Sequence, residues 1–401
     1  MVAFQSRAGA RVTSNRRYFL FGSLAATSLP RLRAAARRRI VIALLDGFGP
    51  EYLERSDMPN LKRMCRGGAF KIGDCVIPSV TNVNNASLVT GSFPSEHGIT
   101  TNYYHNRETN KSVEMESADY LLRPTVFEKA KSLGKRSALV TSKDKVSTLC
   151  GRGADLVISA EKPEAKWLDA VGKQENMYSP DVNYWTFRAA WHALASENID
   201  LLYLSTTDYM MHTYPPEHEQ SLQHLHELDK LLAEILNDHP KLEIYLTADH
   251  GMNAKTEAID PSRILAAKSI ASESIPIIRD KHKTHHQNLG GACYVYLANS
   301  RDFRQAFDIL KSTQGVEEIY DTQSAARLFH LHRGRIGDIF LLASKHVAFG
   351  ELAHVREEAK VRSHGSRHEA KVPLVVYNRK VKIDSYKYNL DLTRHLNLED
   401  A

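Results

Sequence analysis

Three acidic residues stand directly after runs of aliphatic residues, at positions where buried strands would end. They are Asp46 after residues 40–45, Asp208 after residues 200–205, and Asp249 after residues 243–247. The carboxyl ends of parallel strands meet at one edge of a sheet, where open α/β folds hold their ligands. A single Asp at a strand end is commonly a helix cap, but three that converge repel one another. A cation at this edge is the natural partner of such carboxylates.

Histidines accompany these carboxylates. His212 lies four residues after Asp208, His250 is the neighbour of Asp249, and His364 stands in a Ser-His-Gly sequence before the last predicted strand. Mixed carboxylate and imidazole ligands favour zinc over magnesium, which prefers oxygen ligands and keeps its water. Two such ions about 4 Å apart would clamp a tetrahedral phosphorus and stabilise both the attacking and the leaving group.

A candidate nucleophile, Thr81, lies in residues 78–91, PSVTNVNNASLVTG. Residues 69–77 predict a strand and residues 86–89 begin a helix-like apolar run, so Thr81 would lie at a helix N-terminus on the same sheet edge. Backbone N–H groups and the helix dipole favour an anion there. Threonines in such turns more often cap a helix or face solvent. The catalytic interpretation depends on the acidic residues and histidines, because a zinc ion would lower the pKa of the Thr81 hydroxyl.

Strands alternate with helices along most of the chain, which predicts a mostly parallel sheet sandwiched by helices. Further predicted elements are helices at 125–133, 185–196 and 217–236 and strands at 136–141 and 155–159. Residues 292–343 show a short β-α-β-α-β pattern, and residues 372–377 predict the last strand. We therefore expect an α/β core at 39–254 and 355–401, with a small α+β cap domain inserted at 255–354.

Composition is typical of a soluble globular protein. The chain has 401 residues, of which 25% are charged and 42% hydrophobic, and its four cysteines are scattered without a CxxC pair. This cysteine pattern favours a reducing compartment over a disulfide framework or a zinc finger. No stretch reaches the roughly 18 apolar residues that a membrane span requires.

The first 38 residues predict a leader separate from the fold. Residues 1–39 contain nine arginines and no lysine or acidic residue, so subtracting nine from the net charge of +6 leaves −3 for the rest. This charge argues against nucleic-acid binding by the folded part. A mitochondrial-type presequence ranks first, an extension upstream of the true start second, and a twin-arginine export signal at residues 15–20 third. We therefore expect a mitochondrial or cytoplasmic location ahead of export.

Taken in order, these residues resemble the metal-site pattern of the alkaline phosphatase superfamily, specifically its nucleotide pyrophosphatase/phosphodiesterase-like branch. The resemblance runs from about residue 39 to residue 377. Within that branch, the chain resembles the phosphonoacetate hydrolase family in the segments VIPSVTNVNNASLVTG, HGITTNYY, TSKDKV, LSTTDYMMH and TADHGMNAKT. The resemblance implies an alkaline-phosphatase-like fold. It also implies cleavage of the C–P bond of phosphonoacetate, giving acetate and phosphate through a phosphorylated threonine.

The resemblance further implies two Zn²⁺ ions and their ligands. One ion would be held by Asp46, Asp249, His250 and the nucleophile Thr81, and the other by Asp208, His212 and His364. Substrate contacts would fall on Thr81, Asn102, Lys143, Lys145 and His212. The family usually has glycine after Ser-His-Gly, whereas this chain has Ser366, so His368 competes with His364. We prefer His364, because the Ser-His-Gly context carries the family's ligand.

Two further groups of basic residues admit more than one interpretation. A pair such as Lys143 and Lys145 is usually a solvated surface feature, but here it follows the predicted strand at 136–141. A phosphonate that also bears a carboxylate needs fixed cations, and charge develops on the acetate end as the C–P bond breaks. His282, His285 and His286 allow a third metal site, and we prefer a cap loop over the mouth of the site.

Three functions follow from these observations. A di-zinc phosphonoacetate hydrolase ranks first. A nucleotide pyrophosphatase or phosphodiesterase ranks second, and it would need an aromatic clamp for a nucleobase in place of the lysine pair. A binding protein that keeps metals for structure ranks third. We expect a small-molecule phosphonate as partner and no nucleic acid or membrane, and we leave a homodimer open.

Overall fold

The computed structural model of the protein describes residues 38–280 and 284–399. Its strands are β1 Ile40–Leu44, β2 Ala69–Asp74, β3 Tyr103–Asn106, β4 Lys111–Glu114, β5 Ser137–Thr141, β6 Leu156–Ser159, β7 Leu201–Ser205, β8 Glu243–Thr247, β9 Asn253–Ile259, β10 Ser272–Pro276, β11 Ala292–Leu297, β12 Val316–Asp321, β13 Ile339–Ala343, β14 Val347–Phe349, β15 Arg356–Ser363 and β16 Lys371–Tyr377. Its helices are α1 Pro50–Arg55, α2 Pro59–Gly67, α3 Thr81–Thr90, α4 Pro94–His97, α5 Val126–Ser132, α6 Asp144–Cys150, α7 Ala165–Val171, α8 Asp181–Ser196, α9 Tyr209–Thr213, α10 Glu219–Asp238, α11 Pro261–Ala266, α12 Phe303–Lys311, α13 Thr322–Leu328 and α14 Asp391–Arg394.

The main sheet has seven strands in the order β2-β16-β8-β1-β7-β5-β6. The five strands from β8 to β6 run parallel to one another. Strand β16 pairs antiparallel with both β8 and β2, so β2 points in the same direction as β1. This arrangement confirms the predicted α/β fold with a mostly parallel sheet. The last strand, β16, is antiparallel to the other strands of this sheet.

Burial explains why these sequences form central strands. Every residue of β1, β5, β7 and β8 is buried, as expected for strands covered on both faces. Helix α8 contacts β5 and β7, whereas α2 contacts β2 and β16. Helix α10 buries Leu225, Leu228, Leu232 and Ile235, whose helical spacing forms an apolar stripe. The predicted helices and strands up to residue 247 are thereby confirmed, with ends shifted by a few residues.

The strands of a second sheet lie between β8 and β16 in sequence. It has the antiparallel order β10-β11-β13-β12. Its own apolar cluster includes Val295, Leu310 and Leu341. The predicted β-α-β-α-β pattern corresponds to β11, α12, β12, α13 and β13 and is confirmed. The sequence analysis did not predict β9, α11 and β10, because residues 253–276 carry many polar side chains.

A third sheet bears on the predicted boundaries of the cap. Strand β9 lies between β14 and β15, and it pairs antiparallel with β15. Strand β15 belongs to the part predicted as core, so hydrogen bonds cross the predicted boundary near residue 355. The division into a core at 39–254 and 355–401 and a cap at 255–354 stays a prediction.

Most of the predicted leader lies outside the described residues. Arg38 is its only described residue, and its guanidinium pairs with Glu243 at 2.6 Å. Among the described residues, no helix combines the length and the apolar character that crossing a membrane would require.

Candidate metal centre

The three predicted strand ends meet at one edge of the main sheet. Strands β8, β1 and β7 are adjacent, and Asp249, Asp46 and Asp208 follow them. All three carboxylates are buried. Gly47 follows Asp46 with a φ of 72°, and a Cβ there would lie 3.0 Å from the Cβ of Asp208. A glycine at this turn therefore lets the ends of β1 and β7 come close together.

One group of candidate ligands consists of Asp46, Asp249 and His250. Their ligand atoms all lie within 4.8 Å of one another, and all three residues are buried. The Asp249 Oδ1 accepts hydrogen bonds from the backbone N–H groups of Gly47 and His250, both at 3.1 Å. The Oγ1 of Thr81 lies 3.5 Å from the Nε2 of His250. These contacts place the predicted nucleophile beside the first group.

A second group lies around Asp208. The Nε2 of His212 lies 2.9 Å from Asp208 Oδ2, and the Nε2 of His364 lies 3.7 Å from the same oxygen. The His364 ring also stacks on the His250 ring, with centroids 3.4 Å apart. The two groups therefore touch, and together with the adjacent Thr81 they contain every residue predicted as a metal ligand.

The competing histidine, His368, lies elsewhere. Its Nε2 pairs with Glu317 Oε2 at 2.6 Å, and its side chain is 30% exposed. The short 3₁₀ turn Arg367–Glu369 carries its ring away from Asp208. Of the two candidates, the structure brings only His364 to the carboxylates, in agreement with the preference for the Ser-His-Gly sequence.

The hydrogen bonds of the three histidines test whether this set fits a metal ion. Each Nδ1 faces a backbone carbonyl: His212 that of Arg362 at 2.6 Å, His250 that of Gly251 at 2.9 Å, and His364 that of Ser79 at 2.8 Å. A carbonyl oxygen can only accept a hydrogen bond, so each Nδ1 donates. The Nε2 atom of each ring then faces the carboxylates. This is the usual orientation of metal-ligating histidines.

Two carboxylate oxygens in the cluster also indicate that this set of residues fits a metal ion. Asp46 Oδ1 and Asp249 Oδ2 are buried and have no hydrogen-bond partner within the described residues. A buried acceptor without a partner is costly, and a cation would satisfy both oxygens. The donor set of carboxylates and imidazoles therefore fits a divalent metal.

Thr81 is the first residue of α3, after an extended Val80. All ten residues of α3 are buried, and the helix ends at Gly91 in the left-handed conformation. Among them, the side chain of Asn84 donates to the carbonyl of Val76 at 3.0 Å and accepts from its N–H at 2.8 Å. These two hydrogen bonds hold the first turn of α3 against the chain that precedes it. The prediction that Thr81 lies at a helix N-terminus is confirmed, because α3 begins at Thr81.

Lys143 lies deeper than the sequence analysis predicts. Its ammonium donates to Asp46 Oδ2 at 2.6 Å and to Asp208 Oδ1 at 2.7 Å, so it bridges the two ligand groups. Lys145 instead donates to Asp280 Oδ2 at 3.1 Å, near the surface of the site. The two lysines are therefore in different surroundings, although they are two residues apart. Their predicted contacts with a substrate stay predictions.

The charges in the cluster do not balance. Burial, with Asp208 and Asp249 nearby, raises the pKa of Asp46 well above its usual range. Burial likewise raises the pKa of Asp249 to about 6. Burial opposes ionisation of Asp208 too, but Lys143 and His212 outweigh it and hold the pKa of Asp208 well below its usual range. Lys143 thus favours the ionised form of all three carboxylates, but for Asp46 and Asp249 it does not outweigh burial, and a metal cation would favour their ionised form further.

A cavity of about 420 Å³ opens beside these residues. Its lining includes all five predicted substrate contacts: Thr81, Asn102, Lys143, Lys145 and His212. The Asn102 Oδ1 is buried without a hydrogen-bond partner in the described part of the chain. The carboxyl-edge residues and the predicted substrate contacts therefore face one space.

Comparison with known proteins identifies the fold family. A family model described as type I phosphodiesterase / nucleotide pyrophosphatase matches residues 40–367. The chain belongs to this family. The family assignment made from the motifs, in the nucleotide pyrophosphatase/phosphodiesterase branch of the alkaline phosphatase superfamily, is therefore confirmed.

Two solved structures are similar to this chain in fold. Phosphonoacetate hydrolase from Sinorhizobium meliloti 1021, in complex with phosphonoacetate, has a TM-score of 0.82 and 32% sequence identity, over 90% of this chain and 95% of that chain. Human ectonucleotide pyrophosphatase / phosphodiesterase 5 has a TM-score of 0.66 and 16% identity, over 89% of this chain and 93% of that chain. The second likeness concerns the fold alone.

A curated relative shares a shorter region. Venom phosphodiesterase of Naja atra is 25% identical over 232 residues, which are 54% of this chain and 26% of that protein. The chain thus spans about a quarter of the length of this relative.

The family motifs did not reveal every residue of the cavity. Asp280 lies after β10 and holds Lys145, and His286 contacts the same carboxylate at 3.2 Å. His285 brings its ring within reach of Asp208 and His212. These residues agree with the predicted loop over the site, whereas His282 lies outside the described residues. The polar sequence gave no signal for Asp280, because its partner Lys145 is 135 residues away.

Proposed function

We propose that this protein hydrolyses the C–P bond of phosphonoacetate to give acetate and phosphate. The observation that carries the proposal is one cavity that combines Thr81, at a helix N-terminus beside the ligand groups, with Lys143 and Lys145. The likeness to a phosphonoacetate hydrolase over nearly the whole chain supports it. The substrate is a small anion, which such a site can hold without a large binding surface.

The metal ions of the proposed enzyme are two Zn²⁺. Asp46, Asp249, His250 and Thr81 would hold one ion, and Asp208, His212 and His364 the other. When bound, these ions supply positive charge that lowers the pKa of the threonine hydroxyl and offsets the charge of the phosphonate. The inward-facing Nε2 atoms and the two unpartnered carboxylate oxygens support this assignment.

The residues of the chain would then act as follows. The Thr81 hydroxyl gives its proton to solvent, and its Oγ1 forms a bond to phosphorus while the C–P bond breaks. The electron pair of that bond leaves with the acetate carbon, which takes a proton from water. The N–H groups at the start of α3 orient the phosphonate oxygens. Water then attacks phosphorus, which releases phosphate and restores the threonine hydroxyl.

The lysines and Asn102 would bind and polarise the substrate. Positive charge near the departing acetate stabilises the transition state more than the ground state, because the charge develops only as the bond breaks. Asp280 holds Lys145 at the cavity by a hydrogen bond. Burial alone would raise the pKa of Asp280, but Lys145 and His286 outweigh burial and hold that pKa below its usual range. The ammonium therefore stays placed without substrate.

The lining also separates this proposal from a nucleotide phosphodiesterase. Among the described residues that line the cavity, none is Phe, Tyr or Trp, so no aromatic clamp for a nucleobase is built there. A nucleotide would in addition leave the lysines without an acetate carboxylate to bind. The cavity therefore favours the phosphonate over the nucleotide.

Phosphate release tests the proposal. Purified full-length protein loaded with zinc should release phosphate from phosphonoacetate, and protein stripped by a chelator should not. A nucleotide diester serves as the competing substrate in parallel. Faster turnover of the diester would replace the proposal by the phosphodiesterase function, and failure on both substrates and on p-nitrophenyl phosphate esters would indicate a binding protein.

A further inference from the structure

A fully buried ion pair lies behind the metal centre. Lys255 in β9 donates from Nζ to Glu369 Oε1 at 2.9 Å, and both side chains are 0% exposed. Lys255 also donates to the carbonyl of Lys345 at 2.9 Å. None of the predicted site residues belongs to this pair, so its position needs a separate explanation.

The carboxylate of Glu369 is saturated with donors. Its Oε1 accepts from Lys255 and from Asn253 Nδ2, each at 2.9 Å. Its Oε2 accepts from the backbone N of Ser366 at 3.0 Å and from Ser366 Oγ at 2.7 Å. Burial alone would raise the pKa of Glu369, but these donors, Lys255 above all, lower it. The ionised carboxylate therefore holds the turn at Ser366 in place.

That turn is joined to both sides of the metal centre. The carbonyl of Ser366 accepts from Ser79 Oγ at 2.8 Å, and Ser79 Oγ accepts from the N–H of Gly365 at 3.1 Å. The carbonyl of Ser79 accepts from His364 Nδ1 at 2.8 Å. Ser79 lies two residues before Thr81, so the network reaches both the nucleophile and a metal ligand.

The backbone of the turn has little freedom to move. Gly365 has a φ of 124°, and a Cβ at this position would lie 2.9 Å from the backbone N of Gly291. The backbone carbonyl of Glu369 also accepts from the N–H of Gly251 at 2.7 Å. The loops that carry His250, His364 and Thr81 therefore converge on one short segment.

We propose that Lys255 and Glu369 are positioning residues that fix the His364 ring and the Ser79–Thr81 segment for metal binding. The proposal rests on metal binding by His364, which belongs to the proposed function. It does not depend on which phosphorus compound is the substrate. Residues behind metal ligands commonly set metal affinity because they fix the orientation of the ligand ring.

The physical argument separates this role from a contribution to stability alone. A buried ion pair seldom stabilises a fold more than apolar residues of the same size would, because both charges lose their hydration. Its fixed geometry is what apolar residues do not reproduce. Here that geometry reaches His364 through Ser366 and Ser79, by hydrogen bonds of 2.7–2.8 Å.

The test compares Glu369→Gln with Glu243→Gln in the full chain. Glu243 is also a buried glutamate paired with a cation, but it lies at the amino end of β8, opposite the metal centre. Zinc affinity is measured by competition with a chromogenic chelator. The visible spectrum of the cobalt-loaded protein, referenced to His364→Ala, assigns the affected ion.

Glu369→Gln should weaken binding of the ion assigned to His364 by roughly 10–100-fold and leave the other ion unchanged. Glu243→Gln should lower the thermal midpoint of unfolding without changing either affinity. Equal zinc affinities of Glu369→Gln and wild type would overturn the proposal, as would wild-type protein that binds no zinc.

A second variant covers the case in which Glu369→Gln does not fold. Ser366→Ala removes one donor to Glu369 but keeps Lys255 and Glu369 paired. It should weaken the same ion by a smaller factor, and unchanged affinity in this variant would overturn the proposal. Wild-type protein that binds zinc but does not hydrolyse phosphonoacetate would overturn the proposed function alone. Active protein whose zinc affinity is unchanged by Glu369→Gln would overturn the positioning role alone.

Discussion

Two regions of the molecule each hold a buried lysine against carboxylates, and their charges differ. Lys143 lies among Asp46, Asp208 and Asp249, and two oxygens in that cluster have no hydrogen-bond partner among the described residues. Lys255 instead faces a single carboxylate whose two oxygens accept four hydrogen bonds. The first region has three carboxylates for one lysine, whereas the second is neutral and its carboxylate is saturated with donors.

The difference shows how buried charge separates a reactive centre from a supporting one. In the Lys143 region, burial and neighbouring carboxylates raise the pKa of Asp46 and Asp249, as expected where three buried carboxylates share one lysine. In the Lys255 region, the paired lysine lowers the pKa of Glu369 despite its burial. Substitutions in the first region should therefore change the chemistry and the metal ligands directly. Those in the second should change stability and, through the orientation of His364, the affinity for one metal ion.

The largest expected effect comes from the nucleophile. Thr81→Ala should lower turnover by at least about 10⁴-fold, because no other group forms the bond to phosphorus. Metal content should stay mostly intact, because six of the seven proposed ligands remain. Phosphate release and elemental analysis measure the two quantities. Thr90→Ala, at the far end of α3, is the control and should keep turnover. Substantial turnover by Thr81→Ala would exclude the phosphorylated threonine.

Metal stoichiometry distinguishes the two competing histidines. Active protein should contain two zinc ions per chain, His364→Ala should retain one, and His368→Ala should retain both, because the His368 ring pairs with Glu317. Chelation should abolish activity and zinc should restore it. Elemental analysis of gel-filtered protein is the measurement. A single zinc ion in active wild-type protein would contradict the two-ion assignment.

The charge of Glu369 in the Lys255 region should make the stability of the protein depend on pH. The folded-state pKa of Glu369 is lowered, so its ionised form stabilises the fold above the ordinary pKa of glutamate, about 4.3. That stabilisation is lost as the pH falls through the lowered value. Glu369→Gln should therefore be less stable than wild type by about 3 kcal/mol at neutral pH.

Denaturant unfolding at several pH values measures this gap. The difference in unfolding free energy between wild type and Glu369→Gln should narrow as the pH falls below about 4. The unfolded chain binds a proton at Glu369 first, and the folded protein binds it only as the pH falls through the lowered pKa. A gap that stays constant from neutral pH to pH 3 would show that the charge of Glu369 is not what stabilises the turn.

The lysines of the cavity should have smaller and substrate-dependent effects. Lys143→Ala and Lys145→Ala should each lower phosphonoacetate hydrolysis on the order of 10²-fold, as when one oxyanion donor is lost. An aryl phosphate ester leaves as a stable phenolate and should be affected much less. Steady-state kinetics on both substrates provide the comparison, which cancels effects on folding and metal loading. Equal losses on the two substrates would favour the phosphodiesterase function.

Local patterns in the sequence determined most of the main sheet and of the reactive cluster. Short aliphatic runs that alternate with helical patterns favour central parallel strands, and an acidic residue just after such a strand lies at the sheet edge. Asp46, Asp208 and Asp249 were therefore predictable without any knowledge of contacts. Thr81 followed from the change of strand into turn and helix. These features depend only on residues that are adjacent in the chain, so they can be predicted from the sequence.

Only the tertiary structure decided the remaining features, because they depend on residues far apart in the chain. The choice of His364 over His368 is made by the direction of a turn that Glu369 and Ser79 hold. The bridging place of Lys143 depends on strands β1, β5 and β7 lying side by side. The antiparallel return of β16 depends on the route of the chain after β15. Hydrophobic periodicity reports which face of an element is buried, but it does not report which distant polar group an element meets there.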